Sequence, residues 1–243
     1  MVVGGRKSLG VAPTHSKQRE LQVTLKPFYQ TMGSHSITPV GGIRKRIFDI
    51  AFALLGLLAF SPVILFIVVI HIFISKGPIF FLHKRVGAGG QTFRCIKFRT
   101  MVPDAEERLE ALLASDPVAR AEFERDSKLK NDPRIIPIVG HFLRKTSLDE
   151  IPQFINVILG DMTIVGPRPV TEREFNLYGN SKNIYMSIRP GITGLWQVSG
   201  RNNTSFEERV AFDKIYVSTW SMLQDLKIIL RTVIVMVNRD GAY

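Results

Sequence analysis

The sequence predicts an α+β protein, mainly helical, that rests on a membrane from one side. The expected form is monotopic, with a re-entrant helix hairpin kinked at a Ser-Pro pair, small β elements and interfacial amphipathic helices. Three observations lead there. The block Ile50–Ile74 contains no Asp, Glu, Lys or Arg, yet carries Ser61-Pro62 near its middle. Downstream, alternating and aromatic residues surround Gly87, Gly89 and Gly90, the pattern of a short hairpin. The last part, "FEERVAFDKIYVSTW" and "SMLQDLKIILRTVIVMVN", is patterned as helices.

The chain divides into three parts. Residues 1–42 read as a polar, largely disordered tail with Arg6, Lys7, Lys17, Arg19 and Lys26 against Glu20. It has no apolar h-region and so is not a secretory signal. Residues 43–75 form the membrane helix, and 76–243 a cytoplasmic domain that includes membrane-interface helices. The balance of 32 Lys+Arg against 21 Asp+Glu, a formal +11, favours anionic partners. The single cysteine, Cys95, excludes an intramolecular disulfide framework and fits a reducing compartment.

As a straight helix the 25 residues of Ile50–Ile74 would reach about 37 Å, enough to span a bilayer. The flanks favour a return instead. Arg44, Lys45 and Arg46 precede the block, and Lys76, His83, Lys84 and Arg85 follow it. Basic flanks prefer the cytoplasmic side, and a single span cannot put both there. Pro62 removes the bond to the Leu58 carbonyl, so a bend at Ser61-Pro62 gives two arms, and Ser61 can bond nearby backbone to soften the loss.

Pro78 to Met101 reads as strand, Gly turn and strand. Asp104 to Asp126 is a solvated helical region broken at Asp116-Pro117. In "LRKTSLDEIPQFINVILGDMTIVGPRPV", Ser147 and Glu150 fit a capping box opening a helix through about Leu159. Gly160 and Asp161 end it, and a buried strand follows. The "GPRP" loop then holds Arg168 between two prolines. "IRPGITGLWQVSGRN" is turn-rich, and its spaced Arg189 and Arg201 with exposed N–H groups would suit a diphosphate. After Arg231 the uncharged run is too short to span, so the last helix packs at the interface or into the core.

No H-E-x-x-H, C-x-x-C, Walker A or G-x-S-x-G motif occurs. The adjacent acids Asp149-Glu150 would by themselves be explained by helix capping. The combination resembles the bacterial sugar transferases of the monotopic phosphoglycosyl transferase superfamily. The matching stretches are "KRIFDIAFALLGLLAFSP", "FRCIKFRTM", "LRKTSLDEIPQFINVILGDMTIVGPRPV", "RPGITGLWQVSGR" and "FDKIYVSTWS", in family order from about Arg44 onward. Within the family the likeness is greatest to the exopolysaccharide-initiating galactose phosphotransferases.

That resemblance implies transfer of a sugar-1-phosphate from a UDP-sugar to undecaprenyl phosphate, with Mg²⁺ and release of UMP, at the cytoplasmic face of the bacterial inner membrane. It places the hinge at Ser61-Pro62, a catalytic dyad at Asp149-Glu150 with the aspartate as nucleophile, and an essential strand lysine at Lys97. Arg144, Arg168, Arg189 and Arg201 are implied as phosphate-binding residues. Asp213 joins Asp149 and Glu150 as an implied metal ligand. Larger relatives carry an extra multi-span N-terminal domain, so the expectation here is the catalytic core alone. Expected partners are the UDP-sugar, undecaprenyl phosphate and inner-membrane phospholipids, with no nucleic acid; a homo-oligomer is compatible with the sequence. Rival readings are the same chemistry on UDP-glucose or another UDP-sugar, and a membrane-tethered basic adaptor. The helix N-terminus is expected to keep Asp149 ionised.

Overall fold

A 33-residue helix, α1 (Gly42–Ile74), opens the described part of the computed structural model. The structure describes residues 39–74, 77–126, 129–200 and 204–238, so the polar tail before residue 39 and Arg201 lie outside it. Among the described residues α1 is the one helix long and apolar enough to cross a membrane. Leu54, Leu55, Leu58, Leu65, Phe66 and Phe73 are all exposed along it. A soluble core helix would bury such side chains.

The helix runs without interruption through Pro62, so the two separate arms expected on either side of Ser61-Pro62 are one helix in the structure. The local chemistry of the proline is as expected. Pro62 cannot donate to the Leu58 carbonyl, and the Ser61 hydroxyl donates to it instead at 2.8 Å. Both halves of α1 pack on the same domain. Ala53 is in the main core, Gly56 lies against the Phe154 ring, and Ile67 packs with Phe98 and Leu143. The stretch between, Leu58 to Pro62, is exposed throughout.

Strands β1 (Phe80–Val86) and β2 (Thr92–Phe98) form the expected antiparallel hairpin. Its turn uses Gly89 and Gly90 at φ of 66° and 78°, conformations that suit glycine. Helices α2 (Ala105–Ser115) and α3 (Pro117–Asp126) are parted where expected. Asp116 accepts from the Val118 and Ala119 N–H groups at 2.8 and 3.1 Å, and Pro117 takes the first helical position, where its missing N–H costs little.

Helix α4 (Val139–Thr146) is followed by a 3₁₀ turn, Leu148–Glu150, and α5 (Gln153–Leu159). The capping box read at Ser147 and Glu150 does not form. Ser147 is left-handed, at φ 56° and ψ 18°, and makes no side-chain cap. Proline is the reason: an α-helix starting there needs a Pro152 N–H for the Leu148 carbonyl. The segment tightens to 3₁₀ spacing, with Ile151 N–H donating to Leu148 at 3.3 Å. Intact boxes occur instead at Thr171/Glu174 and Ser205/Glu208. They open α6 (Glu172–Leu177) and, further on, α9 (Phe206–Ser218).

Strand β3 (Thr163–Val165) is fully buried and pairs in parallel with β4 (Gly191–Thr193). Between them lie α6 and α7 (Lys182–Met186), and α8 (Leu195–Ser199) follows β4. The turn-rich stretch after Ile188 is thus a strand and a short helix, held close by glycine. A Cβ on Gly191 would collide with the Gly166 backbone.

The last helix, α10 (Met222–Asn238), locks the start of α1 to the core. Lys45 Nζ donates to Asp225 at 2.6 Å, and Asp225 also accepts from Tyr216 at 2.7 Å and Trp220 at 3.2 Å. Asp49 accepts from Thr163 Oγ1 at 2.5 Å and from the Ile164 N–H at 3.1 Å. Lys45, Asp49 and Asp225 are all buried. Replacing Asp225 by Ala would leave the buried Lys45 charge with only its longer, 3.7 Å contact to Asp49, and Tyr216 and Trp220 without their acceptor, at an expected cost of about 3–5 kcal/mol. Denaturation of the detergent-solubilised variant measures it, and a loss below about 1 kcal/mol would show that water relieves the charge.

Candidate active site

Lys97 lies near the end of β2, and Glu150 closes the 3₁₀ turn. Lys97 Nζ reaches Glu150 Oε1 at 2.6 Å, and Arg168 Nη2 lies 3.5 Å from the same oxygen. Burial alone would raise the Glu150 pKa, but Lys97, Arg168 and Arg85 outweigh it and hold the group down at about 2. Both contacts use Oε1; among the described residues Oε2 has no salt bridge or hydrogen bond.

Asp149 is the opposite case. Among the described residues no lysine or arginine forms a salt bridge with its carboxylate. Burial first, and then the charge of Glu150, push its pKa up to about 6, against smaller lowering by Lys97 and Arg144. Asp149 was expected to be kept ionised by a helix N-terminus; it sits instead in a 3₁₀ turn beside an ionised neighbour, and at about 6 it is mostly ionised at neutral pH without that help. Two adjacent carboxylates thus have pKa values pushed far apart, a hallmark of divided chemical roles.

The Arg168 loop is fixed by the hairpin. Val86 N–H donates to Val170 O at 2.9 Å, Tyr185 OH donates to Val86 O at 2.8 Å, and Arg85 reaches Pro169 O at 3.2 Å. Arg144 is held near the dyad by its 2.9 Å bond to Thr100 Oγ1, and its charge acts on Asp149. Lys97, Arg144 and Arg168 therefore gather about the Asp149-Glu150 pair.

Two expected residues do not. Arg189 Nε donates to Gly160 O at 2.8 Å, and Arg46 donates to the Val157 and Ile158 carbonyls at 2.5 and 2.9 Å. Both cap the C-terminus of α5, where carbonyls lack partners and the dipole favours cations. Asp213 is also elsewhere. It is buried, accepts from Tyr178 OH at 2.8 Å and is raised to about 7, chiefly by burial. Tyr178 packs edge-on to Tyr185, 5.1 Å between centroids, so Asp213 supports the aromatic layer under the Arg168 loop. Among the described residues no three His, Cys, Asp or Glu side chains converge to hold a metal, so Asp149, Glu150 and Asp213 are not one metal site.

Arg85 was missed. It belongs to a basic flank in the sequence, but the strand register puts His83, Arg85, Cys95 and Lys97 on one face of the hairpin. That alternation was the available signal. Burial pushes the Cys95 thiol up, so it is a neutral core group beneath the cations.

A family model described as "Bacterial sugar transferase" matches residues 40–239. The chain belongs to the bacterial sugar transferase family. Its relatives within the family include the exopolysaccharide production protein ExoY of Sinorhizobium fredii, 46% identical over 89% of this chain and 95% of that protein. The UDP-galactose-lipid carrier transferase of Erwinia amylovora is 51% identical over 82% of this chain and 41% of its own length. The undecaprenyl-phosphate galactose phosphotransferase of Salmonella typhimurium is 48% identical over 82% and 41%. The chain thus spans nearly all of the first relative and about two-fifths of the other two. Membership makes this sugar transferase an enzyme, and it disfavours the rival reading of a membrane-tethered adaptor.

Proposed function

We propose that this sugar transferase moves galactose-1-phosphate from UDP-galactose to undecaprenyl phosphate, with Asp149 as a covalent nucleophile. The observation that carries the proposal is the split pair: an ionised, cation-bound Glu150 beside an Asp149 with which, among the described residues, no lysine or arginine forms a salt bridge. A carboxylate tied up by lysine or arginine is a poor nucleophile, and Asp149 is not. An Asp149 oxygen would attack the sugar-side phosphorus, and the diphosphate P–O bond would break to release UMP. The phosphate oxygen of undecaprenyl phosphate would then attack the same phosphorus, breaking the aspartyl–phosphate bond and forming the lipid-linked diphosphate. Lys97, Arg168, Arg85 and Arg144 provide positive charge around the phosphates during both displacements.

The residues fit Mg²⁺, a hard cation that takes one or two carboxylates plus substrate phosphate. Glu150, through its Oε2, would hold it together with substrate phosphate, leaving Asp149 free to attack, and when bound it would neutralise phosphate charge.

The donor assignment rests on the relatives' names, two of which specify galactose; a glucose-1-phosphate transferase of Escherichia coli is 38% identical over 228 residues. A panel of UDP-sugars with undecaprenyl phosphate tests it. UMP release is expected fastest with UDP-galactose, and no UMP from any donor, by folded membrane-bound protein, would refute the proposal.

We also place the enzyme at the cytoplasmic face of the inner membrane, with α1 re-entrant. Packing of both its halves on one domain, with Leu58–Pro62 exposed between them, supports that topology. Thiol labelling in intact cells, in a background lacking Cys95, should find residues before Arg44 and after Gly77 equally protected from the periplasm. Periplasmic labelling of one end alone would mean a span.

A further inference from the structure

Arg85 sits among like charges. Arg168 lies close enough for its charge to act on the Arg85 guanidinium, and Arg85 in turn helps to keep Glu150 ionised. Arg85 Nη1 reaches Pro169 O at 3.2 Å and Glu174 Oε2 at 3.3 Å, on a carboxylate side chain that is 42% exposed. Its other terminal nitrogen, Nη2, lies 3.2 Å from His83 Nδ1.

A guanidinium has donors only, so His83 Nδ1 must supply the lone pair. The contact therefore requires a neutral imidazole with its proton on Nε2. Burial first, and then the charges of Arg85 and Lys97, push the His83 pKa down against the opposing charge of Glu174, which favours that neutral form. The ring is half-buried and packs edge-on to Phe81, 5.6 Å between centroids. Side chains of one strand face recur at every second residue, and the register sets Phe81 opposite Lys97 and His83 opposite Cys95. His83 thus stands between Lys97 and Arg85, on the face from which Lys97 reaches Glu150.

Neutrality is what distinguishes this acceptor. A carboxylate at the same place would orient Arg85 equally well, but it would cancel charge that the site offers to phosphate. An imidazole lone pair orients the guanidinium and leaves its charge intact.

We infer that His83 is a positioning residue for the donor's diphosphate: its Nδ1 lone pair fixes Arg85 beside Arg168 and leaves the Arg85 charge for the substrate. The inference rests on the proposed function and adds to it a residue that acts through Arg85.

Three substitutions separate orientation from charge. His83→Asn puts a neutral acceptor where Nδ1 lies, His83→Asp an anionic one, and His83→Leu none. The acceptor-independent burst of UMP is followed against UDP-galactose concentration in the presence of Mg²⁺. His83→Leu and His83→Asp are each expected to raise the half-saturating concentration about tenfold, the size of one hydrogen bond to a charged group. The limiting burst rate should change little, and His83→Asn should match the wild type in both quantities. A residue that only packs the hairpin predicts otherwise, because Asp would pair with Arg85 and keep wild-type affinity. Wild-type affinity in His83→Asp or His83→Leu would overturn the inference, as would an Asn variant as weak as Leu. The Asp and Asn variants both keep an acceptor, so their comparison stands even where Leu unfolds the hairpin. If the wild type releases no UMP, the covalent reading fails separately, and the imidazole still decides this one. Imidazole nitrogen NMR spectra, with His83 assigned from the Asn variant, should show a bare Nδ1 and a protonated Nε2 at neutral pH. A protonated Nδ1 would contradict the inference.

Discussion

Asp149→Asn is expected to be nearly inactive and more stable than the wild type. As nucleophile, Asp149 cannot be replaced by an amide, so kcat should fall at least about a thousandfold, as for loss of other covalent nucleophiles. The stability change has a definite sign. Folding raises the Asp149 pKa from 3.8 to about 6, so the folded state binds the proton more tightly than the unfolded state. Wild-type stability therefore declines as pH rises from about 4 through about 6. Asn carries no charge and escapes that decline, for a gain on the order of 2–3 kcal/mol above pH 6. Below pH 4 wild type and variant should be equally stable. Denaturation of both proteins at pH 4 and pH 7.5 measures the difference. A variant less stable than wild type at pH 7.5 would mean that Asp149 is a structural residue.

Lys97→Met should have the next largest effect, through both carboxylates. It leaves Glu150 half-buried without its principal partner, although Arg168 remains 3.5 Å away. It also removes the strongest influence lowering the Asp149 pKa. The acid limb of the wild-type rate of acceptor-independent UMP release should lie near pH 6, because only ionised Asp149 attacks. In Lys97→Met that limb should move to higher pH, with a loss of about a hundredfold or more at pH 7. Lys97→Arg should restore the position of the limb better than the rate. An acid limb unmoved by loss of Lys97 would separate the observed titration from Asp149.

Features that depend on neighbouring residues were legible in the sequence. Alternation around glycines gave the β1–β2 hairpin, Asp116-Pro117 gave the α2–α3 break, and Ser61 was read as the residue that compensates Pro62. The S-x-x-E pattern misled at Ser147 because Pro152, five residues on, withholds one N–H from a helix. The same pattern at Thr171 and Ser205 meets no proline and does form a box. Lys97 and Arg168 could be placed by resemblance, and the structure joins them at Glu150. Arg189 and Asp213 could not be placed, because their partners, Gly160 and Tyr178, come from other elements. The raised pKa of Asp149 was also beyond local reading. It comes from burial in the folded domain and from the charge of Glu150, in a 3₁₀ turn that offers no helix N-terminus.

Intact mass spectrometry of the purified enzyme, after incubation with UDP-galactose and Mg²⁺ but no polyprenyl phosphate, tests the central claim most directly. A hexose-phosphate adduct on Asp149 is expected, formed with one equivalent of UMP, lost when undecaprenyl phosphate is added, and absent from Asp149→Asn. An active enzyme that shows no adduct and follows sequential two-substrate kinetics would contradict the account.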